Sequence, residues 1–234
     1  MTYVMSDVHG EYSVFLDLLS KINFSKQDTL YICGDIMEKG PHTVRLAKYI
    51  FAHDNIHVIR GNHEEEFIKY FQSLMLKRDG DYDVVLDKLR EYIGGEDGNL
   101  LDWETVDRIE LLPYYIETPN FICVHAGVPL DSRGKIPDLS KAPAEELIYN
   151  RRFKQQNILP NDEKCVFYGH TPSMSIYGES RIVAFYRDAN EEKSINNTIK
   201  VHLDTGVYIS GILGCFCVDT CQSIYVKKVK TNSK

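Results

Sequence analysis

The sequence lacks any long apolar run. None of the uninterrupted apolar stretches in its 234 residues approaches the roughly 20 residues that a membrane-spanning helix needs. The chain opens on a strand-like run at residues 2–5, without the basic, apolar and small-residue segments of a signal peptide. These absences argue against a membrane span and predict a soluble protein of the cytoplasm.

A surplus of basic residues is also missing. The chain has 27 Lys and Arg against 34 Asp and Glu, a formal net charge of -7. Such a protein offers no broad positive surface to the phosphates of DNA or RNA, or to an anionic membrane. We therefore expect neither a nucleic acid nor a membrane as a partner. An anionic ligand would need a local positive site, which bound metal would supply.

Cysteines at zinc-knuckle spacing are absent, although the chain contains six cysteines. Half of them lie within apolar runs and the others lie near the end of the chain: Cys33, Cys123, Cys165, Cys215, Cys217 and Cys221. We interpret them as reduced and mostly buried thiols. Because internal repeats and low-complexity tracts are lacking too, we predict one domain over residues 1–234, with a helical insertion at about residues 64–112.

A recurring pattern is present instead. Short apolar runs rich in β-branched and aromatic residues, which are typical of buried strands, each lead into a turn that carries a polar side chain, usually near a glycine. The polar residues in these turns include Asp7, Asp35, Asn62, His125, His170 and Asp204. Between the first three runs, residues 12–22 and 43–52 have apolar side chains at helical spacing. This alternation predicts successive βαβ units.

The carboxyl ends of the predicted strands are the expected meeting point of these polar residues. In open α/β sheets, ligands bind beyond the carboxyl ends of the strands, where the connecting loops converge. The residues alone therefore predict an α/β fold with a mixed sheet and one site. After Gly206 we expect a closing antiparallel meander, and residues 230–234 read as a frayed end.

Six of the polar residues form a candidate ligand set: Asp7, His9, Asp35, Asn62, His125 and His170. Mixed oxygen and imidazole donors suit manganese, iron or zinc better than calcium. One such residue alone could be a helix cap, a core histidine or a turn former, but their recurrence after successive strands indicates metal. A bridging carboxylate can hold two ions roughly 3.5–4 Å apart, and Asp35 lies in the middle of the set. We assign no metal role to His42, His53, His57 and His202.

Five segments together resemble the ordered signature of the phosphoprotein phosphatase family, within the calcineurin-like metallophosphoesterases. They are Ser6-Asp7-Val8-His9-Gly10, Gly34-Asp35-Ile36-Met37-Glu38-Lys39-Gly40, Arg60-Gly61-Asn62-His63-Glu64, His125-Ala126-Gly127 and Gly169-His170-Thr171. The resemblance covers residues 3 to about 214 and is greatest to the compact bacterial and phage serine/threonine protein phosphatases. It implies two mixed β-sheets flanked by helices on both outer faces.

The same resemblance implies roles for the ligand set. Two divalent ions would bind, with manganese expected first and iron or zinc as alternatives. Asp7 and His9 would hold the first ion, Asp35 would bridge the two, and the second ion would be held by Asn62, His125 and His170. Water between the ions would attack phosphorus, and both ions would neutralise phosphate oxygens.

Further residues of the signature would handle the leaving group and the substrate. The resemblance implies that His63 protonates the leaving oxygen, steadied by an acidic partner. That partner would be Glu38, whose longer side chain replaces the family's usual Asp. Lys39 replaces the usual Arg. It offers phosphate a single ammonium charge in place of a planar guanidinium group that can bind two phosphate oxygens together. Arg60 and Arg151 would contact substrate oxygens through their planar guanidinium groups.

The leading functional hypothesis is a serine/threonine protein phosphatase, with activity on phosphotyrosine and small aryl phosphates left open. A first alternative keeps the fold and changes the substrate, because symmetrical dinucleoside tetraphosphate hydrolases resemble the chain over the same motifs, including Gly40-Pro41. A second alternative is a catalytically silent metal-binding regulator, although such a module would have no use for His63. A nuclease of the same superfamily is disfavoured by the acidic charge.

Overall fold

The computed structural model describes residues 1–77 and 81–229, and it contains two five-stranded β-sheets. The strands are β1 (Thr2–Met5), β2 (Thr29–Ile32), β3 (Ile56–Val58), β4 (Tyr115–Glu117), β5 (Phe121–Val124), β6 (Cys165–Tyr168), β7 (Val183–Tyr186), β8 (Thr198–His202), β9 (Ile212–Cys217) and β10 (Gln222–Lys227). The helices are α1 (Tyr12–Lys21), α2 (Thr43–Phe51), α3 (Asn62–Lys77), α4 (Tyr82–Ile93), α5 (Gly95–Gly98), α6 (Trp103–Glu110), α7 (Ala144–Ile148), α8 (Met174–Tyr177) and α9 (Val207–Ser210).

The first sheet has the strand order β10-β9-β1-β2-β3. Strands β1, β2 and β3 are parallel, with Met5 opposite Ile32 and Ile32 opposite Val58, and they are joined through α1 and α2 as the predicted βαβ units. Helix α1 buries Val14, Phe15 and Leu18 because its apolar residues recur at helical spacing on one face. Strands β9 and β10 complete the sheet as an antiparallel hairpin.

The second sheet has the strand order β4-β5-β6-β8-β7. Its three central strands are parallel, and the edge strands β4 and β7 run antiparallel to their neighbours. Every residue of β5 and β6 is buried, which agrees with the continuously apolar sequences of these strands. The carboxyl ends of β5 and β6 lead into the turns that carry His125 and His170.

The core between the sheets is lined by side chains from both of them. Val4 and Phe216 of the first sheet and Phe167 and Val201 of the second belong to one buried cluster. The helices α1 and α2 pack on the outer face of the first sheet, α3, α4 and α6 extend the same buried cluster by packing against helices, and α7 packs on the outer face of the second sheet. The fold is thus the predicted α/β sandwich of two mixed sheets flanked by helices. All six cysteines are free and buried, as predicted.

Some local predictions need correction. The helical segment between the sheets begins at Asn62, two residues before the predicted start, and it contains α3 to α6. The residues after Gly206 form the short helix α9 where a strand of the meander was expected, although β9 and β10 do pair antiparallel. The edge strands β4 and β7 were not predicted. The expected frayed end, residues 230–234, lies outside the described residues.

No helix in the described part of the chain is both long enough and apolar enough to cross a membrane.

Candidate metal centre

The predicted ligands come together from both sheets. Asp7 and Asp35 follow β1 and β2, Asn62 follows β3 as the first residue of α3, and His125 and His170 follow β5 and β6. Because these strands are parallel within each sheet, their carboxyl ends lie at one edge, and the loops of the two sheets face each other there.

The backbone in this region adopts a conformation that few residues other than glycine take. The φ angles of Asp7, His9, Asp35 and His170 are 55°, 48°, 56° and 73°. Hydrogen bonds between the first two loops support this conformation, since the His9 amide donates to the Asp35 carbonyl over 2.9 Å. Left-handed backbone at side chains that bear chemistry is typical of a functional site, where the surrounding structure compensates for the strain.

Glu64 organises the loop that carries Asp35. Its carboxylate is completely buried, and it accepts hydrogen bonds from the backbone amides of Asp35, Ile36, Met37 and Gly61 at 2.8–3.0 Å. In the sequence Glu64 belongs to the segment Arg60-Gly61-Asn62-His63-Glu64, which predicts no role for it. Its position in the first turn of α3 was the available signal, because acidic residues there can bind free backbone amides.

Glycine is required at the point where this loop meets α3. A Cβ atom on Gly61 would lie 2.2 Å from Asp35 Oδ1. Only a residue without a side chain therefore allows the backbone of the α3 entrance to approach the Asp35 carboxylate so closely.

Asp35 lies between two groups of possible metal ligands. His9 and His63 form the first group with it, at 3.7 and 3.8 Å from Asp35 Oδ2 to their Nε2 atoms. Asp7 and His125 form the second group with it, and His125 Nε2 is 3.5 Å from Asp35 Oδ1. Each carboxylate oxygen of Asp35 thus faces a different group, as expected of a residue that bridges two ions.

A compact set of three donor atoms extends the second group. Asn62 Oδ1 is 3.0 Å from His125 Nε2 and 2.8 Å from His170 Nδ1, and the two imidazole nitrogens are 3.1 Å apart. An amide oxygen and two ring nitrogens that converge on one point are a suitable set of ligands for a borderline divalent ion.

Backbone hydrogen bonds to Nδ1 orient the rings of His9 and His125 so that Nε2 faces the cluster. His9 Nδ1 donates to the Met37 carbonyl at 3.0 Å, and His125 Nδ1 donates to the Cys33 carbonyl at 2.8 Å. Each bond fixes the ring so that the Nε2 lone pair points into the cluster. Backbone carbonyls commonly orient metal-binding histidines in this way.

The charges at the site also fit bound cations. Burial lowers the pKa of His9 to about 4 and, with the nearby His125, that of His170 to about 3, so both rings are neutral near pH 7 and able to bind metal. Burial, together with the charges of Asp7 and Glu64, raises the pKa of Asp35 well above its ordinary value. A divalent ion beside Asp35 would relieve this cost. The residues present therefore fit a pair of metal ions.

His63 and Glu38 contact each other as expected. His63 Nδ1 donates to Glu38 Oε2 over 2.5 Å. Burial, the largest single effect, lowers the pKa of His63, but the hydrogen bond to Glu38 and the charges of Asp35 and Glu38 together outweigh it and raise the pKa above the ordinary value. The hydroxyl of Tyr92 donates to the other oxygen of Glu38. The role of Tyr92 was not predicted, since no local pattern relates the end of α4 to the loop after β2.

The basic residues predicted to bind phosphate have different surroundings. Lys39 Nζ is 3.0 Å from His9 Nε2, so its charge points into the cluster. Arg151 is exposed, and its positive charge contributes to the lowered pKa of His170 after the larger effects of burial and His125.

Arg60, predicted to bind phosphate, makes contacts within the protein. Its guanidinium group is buried and donates to the Glu65 carboxylate, the Tyr114 hydroxyl and the Glu110 carbonyl. These partners belong to the helical segment and the residues just after it, and they use its N–H groups for structure. Sequence could not reveal this, because Glu110 and Tyr114 are about fifty residues away.

Asp204 is the remaining polar residue of the strand-and-turn pattern recognised in the sequence. It is buried, accepts a hydrogen bond from the Gly206 amide at 2.7 Å, and is outside both groups of possible ligands among the described residues. Burial, with the charge of Asp7 as the next cause, raises its pKa well above the ordinary value.

Comparison with known families agrees with this arrangement. The family model of the calcineurin-like phosphoesterases matches residues 2–203, which include every predicted metal ligand. The chain belongs to that family. Proteins of the calcineurin-like phosphoesterase family use divalent metal ions, in keeping with the donor groups around Asp35.

Similar curated proteins of this phosphoesterase family share one description. The chain is 27% identical over 179 residues to the symmetrical bis(5'-nucleosyl)-tetraphosphatase of Wigglesworthia glossinidia brevipalpis, covering 74% of this chain and 62% of the relative. It is 29% identical over 130 residues to the protein of the same description from Buchnera aphidicola, covering 54% of this chain and 44% of the relative. The matched part is thus less than two thirds of the length of these relatives.

Solved structures share the shape of this phosphoesterase fold. One of them, provisionally described as a diadenosine tetraphosphatase, superimposes with a TM-score of 0.70 at 16% sequence identity. The superposition covers 98% of this chain and 94% of the other. At this identity the likeness establishes the fold alone.

Proposed function

We propose that this protein hydrolyses dinucleoside polyphosphates with two divalent metal ions, and that it cleaves diadenosine tetraphosphate symmetrically into two molecules of ADP. The observation that carries the proposal is the common description of the curated relatives, which matches the first alternative from the sequence. The position of Asp35 between two donor groups supports it, because paired ions suit attack on a phosphate.

The donor atoms suggest how the ions would be held. One ion would take Asp7 and His9, whose Oδ1 and Nε2 atoms are 3.8 Å apart, the other would take Asn62, His125 and His170, and Asp35 would bind both. This division follows the family resemblance, whereas proximity alone places Asp7 with His125 and His9 with His63. Bound there, the pair would neutralise phosphate oxygens and lower the pKa of a water molecule. The tautomers of His9 and His125 are already set by backbone carbonyls, so neither ring needs to turn, although the Lys39 ammonium would have to move away from His9 Nε2.

The reaction breaks the central bond of the tetraphosphate. The oxygen of water bonds to one inner phosphorus, and the bond from that phosphorus to the central bridging oxygen breaks, so that the second ADP departs with the bridging oxygen. His63 would give a proton to that oxygen, as its Nδ1 is held by Glu38 and its Nε2 faces Asp35.

A cavity beside His63 would receive part of the substrate. It has a volume of about 380 Å³ and is lined by Glu38, Lys39, Gly40, Thr43, Tyr92 and Ile93. A flexible ammonium and an aromatic ring in one cavity suit the anionic oxygens and the base of a nucleotide.

The serine/threonine protein phosphatase predicted first would use the same metal ligands. Lys39 favours the polyphosphate over it, because a point charge on a flexible stem can follow several anionic oxygens but cannot make the paired bonds of an arginine to one phosphate. Arg60 is less available for such paired bonds, because among the described residues both of its Nη groups donate to Glu65, Tyr114 and Glu110.

The test is a substrate panel with Mn²⁺, comparing diadenosine tetraphosphate, a phosphoserine peptide and p-nitrophenyl phosphate. We expect ADP as the nucleotide product, with kcat/KM at least tenfold above that for the peptide, and no turnover by Asp35→Asn. In ¹⁸O-labelled water, one ADP of each pair should carry the label. A preference for the peptide would support the protein phosphatase instead, and metal binding without turnover of any substrate would support the silent regulator.

A further inference from the structure

Both oxygens of the Glu38 carboxylate have partners. Oε2 accepts from His63 Nδ1 at 2.5 Å, and Oε1 accepts from the hydroxyl of Tyr92. Glu38 and Lys39 have φ angles of 62° and 63°, so the carboxylate extends from a left-handed turn of the backbone. A glutamate has three side-chain torsions, and a partner at its second oxygen restricts them where one bond to His63 would not.

Tyr92 is itself held by the helix that carries His63. His63, Phe67 and Tyr70 lie at spacings of four and three residues, hence on one face of α3. The Tyr70 ring stacks on Tyr92 with centroids 4.9 Å apart and an interplanar angle of 26°, and Phe67 lies 6.0 Å from Tyr92. His63 and Tyr92 are thus connected by two routes, one along α3 through its aromatic residues and the other through the Glu38 carboxylate.

The hydroxyl of Tyr92 has the chemistry that this contact needs. Burial, followed by the hydrogen bond to Glu38, raises the pKa of Tyr92 above its ordinary value, so the phenol keeps its proton and remains a donor. Among the described residues, the Tyr92 hydroxyl bonds to Glu38, and Tyr92 belongs to neither group of possible ligands. Tyr92→Phe keeps the ring that lines the cavity, so the effect of removing the hydroxyl on proton donation would pass through Glu38.

We propose that Tyr92 is a positioning residue for hydrolysis: its hydroxyl, supplied by α4, holds the Glu38 carboxylate, and Glu38 in turn holds the ring of His63 for proton donation. The inference rests on the proposed hydrolase function, which makes His63 the proton donor. It gives the helical segment between the sheets a role in the chemistry, and it explains how a glutamate serves where the related family has the shorter aspartate.

The kinetic test compares Tyr92→Phe with the parent protein, both loaded with Mn²⁺, on aryl phosphates whose leaving groups differ in basicity. We expect kcat on phenyl phosphate to fall about tenfold, about the effect of one hydrogen bond to a charged group, with KM changed less than twofold. On p-nitrophenyl phosphate the fall should be about twofold, because this leaving group needs little protonation. An equal loss on both substrates would overturn the proposal.

A double-mutant cycle separates positioning from packing. The shorter carboxylate of Glu38→Asp cannot contact His63 and Tyr92 together, so adding Tyr92→Phe to it should change kcat less than twofold. Loss of the full tenfold in both backgrounds would mean that Tyr92 acts through the packing of α4, against the proposal. The matched control is Tyr82→Phe, which removes a hydroxyl from the opposite, exposed end of the same helix and should keep the parent kinetics.

A spectroscopic measurement decides the inference independently of turnover. In ¹⁵N-labelled protein with Zn²⁺, assigned with His63→Gln, we expect one Nδ1–H tautomer of His63 with a strongly hydrogen-bonded proton. In Tyr92→Phe this proton signal should broaden or vanish, while thermal unfolding stays close to the parent. An unchanged signal would overturn the inference, even if the parent protein hydrolysed no phosphate ester and the proposed function itself had failed.

Discussion

Glu64 illustrates what a single side chain does for this site. Its carboxylate is the common acceptor for amides of the Asp35 loop and of the α3 entrance, so it joins two segments that carry predicted ligands. The sequence places an acid next to Asn62 and His63 but does not say that it is buried. That fact depends on the packing of α3 against the loop after β2.

Glu64→Gln should therefore destabilise the fold and weaken metal binding. The amide retains one acceptor oxygen and turns an NH₂ donor towards backbone donors, which leaves buried N–H groups unsatisfied. We expect a loss of about 3 kcal/mol in the free energy of unfolding by urea, and a weaker Mn²⁺ affinity by calorimetry. Glu91→Gln, which changes a half-exposed ion pair on α4, should shift stability by less than about 1 kcal/mol. Equal effects of the two changes would contradict this role for Glu64.

His202 is a buried histidine for which no metal role was predicted. Its ring stacks on Tyr168 with centroids 4.9 Å apart at 14°. Burial lowers its pKa to about 4. The folded protein thus binds this proton more weakly than the unfolded chain does, so the stability tied to His202 is present above about pH 6.5 and is lost as the pH falls towards 4.

His202→Phe should remove this part of the acid sensitivity. Between pH 7 and pH 5 the parent protein should lose about 2 kcal/mol more stability than the variant. Over this range the imidazole of His202 takes up a proton in the unfolded chain but stays neutral in the folded protein, which favours unfolding of the parent alone. Urea unfolding at several pH values measures the difference, and the other titrating groups, present in both proteins, cancel. Parallel pH profiles for the two proteins would contradict the assignment.

At the scale of secondary structure, buried elements were predictable and edge elements were not. Strands β5 and β6 are apolar throughout, so their sequence patterns identify them. Strand β7 is only half-buried and owes its existence to pairing with β8. The strand-like sequence of α9 forms one helical turn because Gly206 and Gly211 at its two ends take left-handed φ angles of 67° and 69°, which reverse the chain.

Lys200 joins strand β8 to the segment that follows α7. It is fully buried, and its ammonium donates to the carbonyls of Phe153, Gln155 and Ile158 at 2.6–2.8 Å. The rings of Phe153 and Phe185 lie 4.9 and 5.0 Å from Nζ. These contacts hold a segment of irregular backbone that has few partners in the sheet itself, and the same segment leads from Arg151.

Lys200→Met should therefore loosen that segment. The change keeps the apolar stem and removes the donors, which leaves three carbonyls without this partner and should cost about 3 kcal/mol in urea unfolding. Hydrogen exchange should accelerate in residues 153–158 more than in β5 or β6. Lys193→Met, at an exposed lysine, serves as the control and should be nearly neutral. Unchanged protection of residues 153–158 would contradict the role assigned to Lys200.

For the whole molecule, the meeting of the two sheets at the candidate centre was the most predictable feature. Each predicted ligand follows a strand or begins the next helix, and parallel strands bring such residues to one edge whatever their separation in sequence. The surroundings of the centre were less predictable. Three of these features depend on how the segment of α3 to α6 packs, which no local pattern encodes. They are the inward position of Glu64, the contact of Tyr92 with Glu38 and the internal hydrogen bonds of Arg60.

Metal should stabilise the fold as a whole, because its ligands come from both sheets. Asp7 and Asp35 belong to loops of the first sheet, and His125 and His170 belong to loops of the second, so bound ions would connect the sheets. Ligand binding to the folded state alone at about 100 times Kd contributes about 2.7 kcal/mol per site, and a protein of this size gains about 2–4 °C per kcal/mol. Mn²⁺ should thus raise Tm by about 5–11 °C for one site, and EDTA should reverse the gain.

The matched control for this prediction is Asp35→Asn, which weakens the residue common to both donor groups. Without metal, the Tm of this variant should equal or exceed that of the parent. Burial raises the pKa of the Asp35 carboxyl group, so its ionisation in the folded protein costs stability, and the Asn side chain removes that cost. The variant's gain with Mn²⁺ should fall to a small fraction of the parent value. An equal gain in both proteins would mean that Mn²⁺ binds at another position, and the connection of the two sheets through Asp35 would have to be abandoned.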